Sequence, residues 1–353
     1  MKRIGYMFDH VISVENLRAA HFEEKKKKKH RRRAEQWEKN LDFNLERLHG
    51  ELEAGAWRMH TYHRKDVYEA GKQREIWFTA SWDDQVVQRA ICRTLGVKLE
   101  ASLITGTYAS MKGRGIHRAL RHLRRFIKRE IMPEALWVYQ FDIRKFYDSI
   151  DHAALKAALE HKIKDRRLLG LLFCIIDCFP CQEYLRQHPA ASPERGIPIG
   201  NIVSPLFSNF LLSDLDHWAK EQFKAAAYYR YADDVVALLR SKEQARDFRT
   251  AVHERISALN LTIKPNEQIY PFRARPIDFI GYVVSPYTVR LRKRIERRLR
   301  RCIRLYTLTH SQRLAASAAS RWGWVKHLTH AGRLWFALTK QTASELIKEA
   351  QTC

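Results

Sequence analysis

The chain has 353 residues, of which 45 % are hydrophobic, and this content supports a sizeable core and excludes an intrinsically disordered protein. Its 64 Lys and Arg residues against 39 Asp and Glu give a net charge of +25, which indicates a polyanionic partner, most simply nucleic acid. The longest apolar run, residues 168–176, ends at Asp177 and is far shorter than the roughly 20 residues of a membrane span. We therefore expect a soluble intracellular protein without a membrane contact.

Residues 1–60 are predicted to form a basic helical extension, because they are rich in good helix formers and the pattern ends at Gly55. Within them, "KKKKKHRRR" at residues 25–33 is an unbroken block of basic or potentially basic residues. Such a block is often only a solvated surface segment. Given the charge of the whole chain, we favour a contact with phosphate groups.

Residues 61–135 begin with extended pieces in "TYHRKDVYEA" and "REIWFTA" and continue as a helix in "DDQVVQRAICRTLGVKLEASL". A Gly-containing basic loop in "YASMKGRGIHRAL" then leads into a basic helix. The β-branched and aromatic residues of "ALWVYQFDI" predict a strand. "DHAALKAALEHKI" begins a helix, which Ser149 or Asp151 would cap.

The second half alternates helices and strands. A buried helix at residues 168–178 precedes a Pro/Gly-rich loop and an apolar-faced helix, "SPLFSNFLLSDLDHWAKEQF". Two short strands around a turn follow in "YYRYADDVVALL", then an amphipathic helix and a strand in "IDFIGYVV". This order predicts an α+β fold, in which an antiparallel sheet carries helices on one face.

The segment "YTVRLRKRIERRLRRCIRLYTL" is predicted to be a very basic helix. An apolar stripe at four-residue steps would dock it on the body of the protein: Leu291, Ile295, Leu299 and Ile303. The arginines around this stripe would face a nucleic-acid duplex.

Three of the six cysteines, Cys174, Cys178 and Cys181, have a C-x3-C-x2-C spacing. Such a spacing can hold an iron–sulfur cluster. Cys174 lies in a Leu/Ile helical run, however, and no fourth ligand lies nearby in the sequence. We favour free thiols in a reducing compartment.

Two adjacent carboxylates, Asp233 and Asp234, interrupt a run of strand-forming residues. This pattern predicts a β-hairpin with both carboxylates at its tip, although an Asp-Asp pair is also common in ordinary turns. Carboxylates this close repel each other and need a cation. Asp142 ends another predicted strand, and strand-end carboxylates can converge on two metal ions about 4 Å apart.

The motifs "FDIRKFYDSID", "GIPIGNIVSPLFSN" and "YADD", in this order and spacing, resemble those of a reverse transcriptase. "GKQREI" and "YASMKGRGIHRAL" resemble its fingers motifs, and "DFIGYVV" resembles the strand before its thumb. The likeness covers nearly the whole chain. It implies a right-hand polymerase with fingers, a ferredoxin-like palm and a helical thumb. The implied domains are the extension at 1–60, interleaved fingers and palm at 61–285, and a basic thumb at 286–353.

The resemblance also implies a role for individual residues. The catalytic residues would be Asp142, Asp233 and Asp234, and the metal site would hold two Mg²⁺ ions, for which Mn²⁺ is a substitute, through Asp142, Ile143, Asp233 and Asp234. The incoming nucleotide would contact nine residues: Lys72, Arg74, Lys145, Phe146, Tyr147, Ile199, Gly200, Ser204 and Pro205. The primer and template would contact nine others: Gly113, Arg114, Tyr231, Phe279, Gly281, Tyr282, Arg294, Arg298 and Arg301.

Tyr147 would be the bulky gate that excludes a 2′-hydroxyl, and Lys72 and Arg74 would grip the triphosphate. The implied partners are template RNA, the cDNA/RNA duplex, dNTPs, a cognate structured non-coding RNA and a small basic accessory protein. The implied location is the cytoplasm of a bacterial or phage-infected cell.

Within the family, Ile199 resembles the apolar residue of diversity-generating retroelements, which copy RNA with errors opposite adenine, where many relatives have Gln. The motif ends in Ser204-Pro205, however, as in group II intron-type enzymes. The proton donor to pyrophosphate is also open, because Lys264 is the single lysine of its region. Two alternatives remain: an antiphage-defence or retron-like reverse transcriptase, and a non-catalytic RNA-binding protein.

Overall fold

The structure is a computed structural model that describes residues 3–27, 32–69, 72–309 and 311–331. The middle of the basic block, residues 28–31, and the end of the predicted thumb, residues 332–353, lie outside the described residues. The chain forms two compact units. Unit 1 comprises Met1–Ser110, Ile143–Gln222 and Ala251–Pro265, and unit 2 comprises Met111–Asp142, Phe223–Thr250 and Asn266–Cys353. The division at residues 60 and 285 stays a prediction.

The helices of the described chain are α1 Phe8–Ile12, α2 Val14–Lys27, α3 Arg32–Glu38, α4 Leu41–Glu53, α5 Trp82–Ile91, α6 Val97–Ala101, α7 Ile116–Arg129, α8 Phe146–Ser149, α9 His152–Lys162, α10 Arg166–Asp177, α11 Gln182–Gln187, α12 Ser204–Leu211, α13 Ser213–His217, α14 Lys242–Ala258, α15 Lys293–Thr309 and α16 Gln312–Val325. Two π-helical turns, Cys92–Gly96 and Trp218–Gln222, and a 3-10 turn, Pro133–Ala135, supplement them. The strands are β1 Tyr62–Glu69, β2 Lys72–Thr79, β3 Trp137–Asp142, β4 Ala227–Tyr231, β5 Asp234–Leu239, β6 Gln268–Pro271, β7 Ile277–Phe279, β8 Tyr282–Val284 and β9 Val289–Leu291.

The predicted helical extension is confirmed for its described residues, and α2 packs on α5 in unit 1. Two buried polar contacts hold this pair. Arg89 on α5 forms an ion pair with the buried Glu24 at 2.6 Å. Trp82 donates its indole N–H to His21 at 2.9 Å. The two extended pieces that follow form one antiparallel hairpin, in which Tyr62 of β1 pairs with Thr79 of β2.

The helix α9 begins at its cap Asp151, whose carboxylate accepts a hydrogen bond from the Ala154 N–H at 3.0 Å. This settles the cap that the sequence left open between Asp151 and Ser149. The next helix, α10, is capped in the same way by Asp165. Both caps satisfy N–H groups that the first turn of a helix leaves without a partner.

The expectation that no segment is long enough for a membrane span is corrected. The segment Arg166–Gln187 meets the length and composition criteria for a candidate membrane span. These two criteria are weak, because core helices of globular proteins meet them too. Here α10 ends at Asp177, before α11 begins, and it buries a full apolar face: Leu168, Leu169, Leu171, Leu172, Ile175 and Ile176.

The main sheet of unit 2 is antiparallel, with the strand order β4-β5-β3-β6. In the chain, helices lie between β3 and β4, and α14 lies between β5 and β6. Together with the strand order, this arrangement is the ferredoxin-like topology expected of a palm. On one face of the sheet, Phe248 of α14 packs edge-on against Tyr139 and Tyr228. The strand β6 was not predicted as a separate element.

A second sheet of unit 2 corrects two predictions. "IDFIGYVV" forms two strands, β7 and β8, joined by a turn at Ile280 and Gly281, and these pair with β9 rather than with the main sheet. Leu291 belongs to β9 and not to the basic helix. The buried side of α15 is instead formed by Leu299, Cys302, Ile303 and Tyr306.

Candidate active site

Two of the three predicted catalytic aspartates lie directly opposite each other in the main sheet of unit 2. Asp142 is the last residue of β3 and pairs with Asp234, the first residue of β5. On its other side, Asp234 pairs with Tyr231 of β4. The predicted hairpin is confirmed with one refinement: its turn consists of Ala232 and Asp233, and Asp234 already belongs to the strand.

The rigid arms of the hairpin explain how charged residues are tolerated here. The residues of β5 after Asp234 are all buried, and they anchor the strand in the core. In the turn, Ala232 has a φ of 56°, a left-handed conformation. The fully buried Arg230 donates a hydrogen bond to the Ala232 carbonyl oxygen at 3.1 Å. This contact fixes the turn that carries Asp233.

The carboxylates repel each other electrostatically. Burial, together with the negative charges of Asp142 and Asp233, raises the pKa of Asp234 to about 7. Arg292 and a hydrogen bond with Gln140 act in the opposite direction. A cavity of about 280 Å³ opens beside Asp142 and Asp234, and it is lined by polar residues of β3, β6 and β7 and by Arg292. A cation placed here would relieve the repulsion, which favours a metal site.

The donor set fits Mg²⁺, because it offers carboxylate oxygens and no sulfur or imidazole. However, no group of three or more His, Cys, Asp or Glu in the part of the chain that the structure describes is arranged to hold a metal ion. Ile143 follows Asp142 and is fully buried, forming an isolated bridge with Ile263. The metal role of Asp142, Ile143, Asp233 and Asp234 therefore stays a prediction.

The predicted primer and template residues all lie in unit 2. Gly113 and Arg114 occupy the loop before α7, and Arg294, Arg298 and Arg301 are exposed on α15. Phe279 and Tyr282 are buried, with Tyr282 stacked on Trp324. If the "FIGY" segment supports a primer, it does so through its backbone. Gly281 is required there, because it has a φ of 90° and a Cβ would lie 2.8 Å from Trp324.

The predicted nucleotide residues lie in unit 1. Lys145 has a left-handed φ of 45° and precedes α8, whose first residue, Phe146, is buried. Tyr147 is half-buried, and its hydroxyl lies 3.3 Å from the hydroxyl of Ser208 on α12. Its backbone carbonyl accepts a hydrogen bond from Ile197 at 2.9 Å. The predicted gate is thus held at both its backbone and its side chain.

The loop before α12 presents Ile199, whose side chain is 43 % exposed, next to Gly200. The Gly200 N–H donates to the Trp77 carbonyl of β2 at 3.1 Å, and a Cβ on Gly200 would lie 2.3 Å from that oxygen. A glycine is therefore required for this loop to reach β2. Of the remaining residues, Ser204 is fully buried at the start of α12, and Pro205 occupies its first turn.

The two predicted triphosphate cations lie on β2. Arg74 is exposed, and Lys72 opens the strand, although its side chain lies outside the described residues. Their predicted roles are untested.

Sequence reasoning missed four residues: Gln140 and Arg292 next to Asp234, Arg230 below the turn, and Asn201 in unit 1. Asn201 is buried and donates to the Tyr62 hydroxyl at 2.7 Å. Only Gln140 carried a signal, because it precedes Asp142 by two residues and so shares its side of the strand.

Comparison with known proteins identifies the family. Residues 63–284 match the model of the family described as reverse transcriptase (RNA-dependent DNA polymerase). Protein YkfC of Escherichia coli K12 is 26 % identical over 198 residues, which are 47 % of this chain and 51 % of that protein. The group II intron-encoded protein LtrA of Lactococcus lactis is 29 % identical over 136 residues, 38 % of this chain and 21 % of that protein.

Among solved structures, telomerase from Candida albicans in complex with a fragment of telomeric RNA has a TM-score of 0.49 and 10 % identity, covering 83 % of this chain and 55 % of that one. The chain spans about half the length of YkfC and a smaller share of LtrA. The family match covers more than half of this chain and includes all three aspartates. The chain belongs to the reverse transcriptase (RNA-dependent DNA polymerase) family.

Proposed function

We propose that this protein is an RNA-directed DNA polymerase that makes cDNA from an RNA template. The observation that carries the proposal is the cross-strand pair of Asp142 and Asp234, with Asp233 in the adjoining turn. Burial and the repulsion from Asp142 and Asp233 raise the pKa of Asp234, and a bound cation would offset both effects. The family match supports the same reaction.

In this proposal, Asp142, Asp233 and Asp234 hold two Mg²⁺ ions. When bound, such ions activate a primer 3′-hydroxyl and stabilise the leaving pyrophosphate. The chain's own residues position the carboxylates: Arg230 fixes the turn, and the buried arms of the hairpin hold the carboxylates in register. Tyr147 would select dNTPs, and the exposed arginines of α15 would bind the cDNA/RNA duplex.

The test is primer extension on an RNA template with the double variant Asp233→Asn/Asp234→Asn. We expect RNA binding to be retained and cDNA synthesis to be lost, by at least about 10³-fold, because the site loses two of its three carboxylates while its shape is kept. The thermal midpoint of the wild type should rise with Mg²⁺, and that of the variant should not. Retained synthesis would overturn the assignment, and a wild type that binds RNA without Mg²⁺-dependent incorporation would make the chain an RNA-binding protein.

We further propose that Ile199 makes the enzyme error-prone opposite template adenine, as in diversity-generating retroelements. Ile199 is exposed on the loop that is anchored to β2, where its side chain can pack against a ligand but cannot form a hydrogen bond with one. A glutamine in this place could form a hydrogen bond near the nucleotide, and the loss of one or two such bonds is worth about 1–3 kcal/mol. On this scale, discrimination would fall by about tenfold to a hundredfold.

The measurement is the misincorporation spectrum of the wild type and of Ile199→Gln on the same RNA template. We expect fewer errors opposite adenine in the variant, with the other template bases little affected. Ile199→Leu is the matched control, since it keeps an apolar side chain, and it should retain the wild-type spectrum. Equal spectra for Ile199→Gln and the wild type would overturn the proposed role of Ile199.

The proposal also covers the location of the enzyme and its partners. We propose that the enzyme acts in the cytoplasm of a bacterial or phage-infected cell on a cognate structured RNA, with a small basic accessory protein. Sequencing of the RNA that co-purifies with the tagged full chain tests this part. Enrichment of one structured RNA supports it, and a random RNA population contradicts it.

A further inference from the structure

The loop that leads into α12 is tied to three other elements of unit 1 by three consecutive residues. The Gly200 N–H donates to a backbone carbonyl of β2 at 3.1 Å. Asn201 donates its side-chain amide to the Tyr62 hydroxyl of β1 at 2.7 Å. The Ile202 N–H donates to the Gln88 side chain of α5 at 2.8 Å. Of these three bonds, only the second joins two side chains, so a substitution can remove it without altering the backbone.

The contact between Asn201 and Tyr62 is closed off from water. Asn201 is 4 % exposed and Tyr62 is 3 % exposed. The amide oxygen Oδ1 of Asn201 is buried as well, and no group in the described part of the chain donates a hydrogen bond to it. Among the described residues, the Tyr62 hydroxyl is therefore the single partner of the Asn201 side chain. Loss of this bond would leave a buried amide without any hydrogen bond, which is unfavourable.

The packing of its ring holds the Tyr62 hydroxyl in place. The ring contacts Phe179 edge-on, with the ring centroids 5.4 Å apart, and both residues belong to a buried cluster with Trp77. Tyr62 pairs with Thr79, two residues after Trp77, so Tyr62 and Trp77 lie on one face of the hairpin. Burial raises the pKa of Tyr62 above its usual range, although the bond from Asn201 acts in the opposite direction. The hydroxyl is therefore a neutral acceptor in a fixed position.

This bond lies beside residues that are predicted to contact the nucleotide. Asn201 directly follows Gly200, and the exposed Ile199 precedes that glycine. On the other side of the bond, Tyr62 belongs to β1, which pairs along its length with β2, the strand that carries Arg74. The bond therefore fixes the loop of Ile199 against the hairpin of Arg74.

We infer that Asn201 and Tyr62 are positioning residues for the incoming nucleotide, an inference that rests on the proposed function. Their hydrogen bond holds the loop in the conformation that receives the dNTP, and the two buried side chains act through the loop rather than by touching the nucleotide. The three aspartates lie in unit 2 and take no part in the bond. Loss of the bond therefore weakens dNTP binding and leaves the chemical step unchanged.

The first variant is Tyr62→Phe, which removes the hydroxyl and keeps the ring. Single-nucleotide incorporation on an RNA template, measured over a series of dNTP concentrations, gives KM and kcat separately. We expect KM for the dNTP to rise about fivefold to tenfold, as the loss of one hydrogen bond predicts. The kcat and the Kd for the primer–template should equal those of the wild type. A role in stability alone would instead lower the fraction of active enzyme, and with it the apparent kcat.

The matched control is Tyr184→Phe. Tyr184 packs against the same buried cluster, and its ring centroid lies 5.5 Å from that of Trp77. Its hydroxyl forms no hydrogen bond with another residue of the described chain. This variant removes a hydroxyl from the same surroundings without releasing the loop, so its KM and kcat should equal those of the wild type.

The double variant Tyr62→Phe/Asn201→Leu separates positioning from stability. Replacing both partners of a buried hydrogen bond by apolar groups of similar shape can be nearly neutral for stability. We expect the thermal midpoint, lowered in Tyr62→Phe, to recover in the double variant, while KM for the dNTP stays raised because the bond is still absent. A double variant with the wild-type KM would overturn the inference.

Hydrogen exchange of the full-length chain tests the tie without polymerase activity. In Tyr62→Phe, the peptide that spans residues 196–204 should exchange about fivefold to tenfold faster, because local opening no longer breaks this bond. In Tyr184→Phe it should exchange at the wild-type rate. Equal exchange in Tyr62→Phe and the wild type would overturn the inference. An inactive wild type would overturn the proposed function together with this role, whereas an active wild type whose KM equals that of Tyr62→Phe would overturn this role alone.

Discussion

Among the glycines that the structure describes, Gly200 has the closest neighbours at its Cβ position. Its hydrogen bond to β2 brings the loop so close that a Cβ would lie 2.3 Å from the Trp77 carbonyl oxygen and 2.7 Å from the Phe78 Cβ. Neither neighbour is the end of a flexible side chain, so the strand or the loop would have to move. The glycine of this motif is therefore needed for close approach, independently of any contact with a nucleotide.

We predict that Gly200→Ala lowers the free energy of unfolding by about 2 kcal/mol, as is typical of overpacking against rigid backbone. Denaturant unfolding of the full chain measures this. Gly50→Ala is the matched control, because Gly50 lies within α4 and no heavy atom approaches its Cβ position within 4 Å. It should stabilise the protein by roughly 0.5–1 kcal/mol. A neutral Gly200→Ala would show that the loop does not approach β2.

At the scale of elements, α7 and the segment that follows α16 meet through two histidines, whose rings are tilted against each other. The rings of His117 and His327 lie 4.4 Å apart. Burial lowers the pKa of His327 to about 4, and the neighbouring His117, Lys326 and Arg121 act in the same direction. Burial also lowers the pKa of His117. Both imidazoles are therefore neutral in the folded state at neutral pH.

The sign of the pH effect follows from this lowered pKa. In the unfolded chain, His327 takes up a proton below about pH 6.5, whereas in the folded chain it stays neutral down to about pH 4. Stability is therefore lost as the pH falls through this window. We predict that His327→Gln reduces the loss of unfolding free energy between pH 6.5 and pH 5 by about 1 kcal/mol, with partial exposure taken into account.

Urea unfolding at the two pH values measures this difference. The exposed His161 of α9 provides the control, and His161→Gln should leave the pH dependence of the wild type unchanged. If His327→Gln and His161→Gln gave the same pH dependence, the histidine contact between α7 and the segment that follows α16 would not limit acid stability.

The elements that the sequence predicted well are those with strong local patterns. Helical periodicity predicted α9, α10 and α14, and β-branched and aromatic residues predicted β3, β4 and β5. The strand β6 was missed because it is four residues long and ends in a proline. "IDFIGYVV" was predicted as one strand because its composition favours one, whereas the turn depends on the left-handed φ angles of Ile280 and Gly281.

The residues of the candidate site also divide into those that the sequence predicted and those that it did not. The positions of the aspartates at strand ends were predictable, because strand-forming runs adjoin them and the order and spacing of the motifs single them out. Arg292 was not, since it lies beside Asp234 only through the folding of a distant segment. The contact of Arg230 with the turn was not predicted, because nothing in the sequence indicates a fully buried arginine at this position.

At the scale of the whole molecule, the excess of 25 positive charges predicts RNA binding that weakens steeply with salt. The exposed Arg294, Arg298 and Arg301 of α15 are predicted to contribute to it. Replacing all three by Gln should flatten the plot of log affinity against log salt concentration by about 2–3 units of slope, roughly one for each phosphate that is no longer neutralised. Fluorescence anisotropy with a labelled RNA duplex measures this slope.

The matched control replaces the same three arginines by Lys, which keeps the charge, and its salt slope should equal that of the wild type. An unchanged slope in the Gln variant would show that α15 does not contact phosphate. A changed slope in the Lys variant would show instead that guanidinium geometry, rather than charge, determines binding.

The pairing of β3 with β5 has a consequence for how the chain reaches its folded state. Asp142 and Asp234 are 92 residues apart in the sequence, and most of the intervening chain belongs to unit 1. The entropy of closing such a loop rises only by about 0.6 kcal/mol for each doubling of its length. Lengthening of the intervening segment should thus cost little stability. It should slow folding, however, because a non-local strand pair must be found before it contributes. The pairing of Asp142 with Asp234 would then form late in folding, and its formation would mark a fully folded chain.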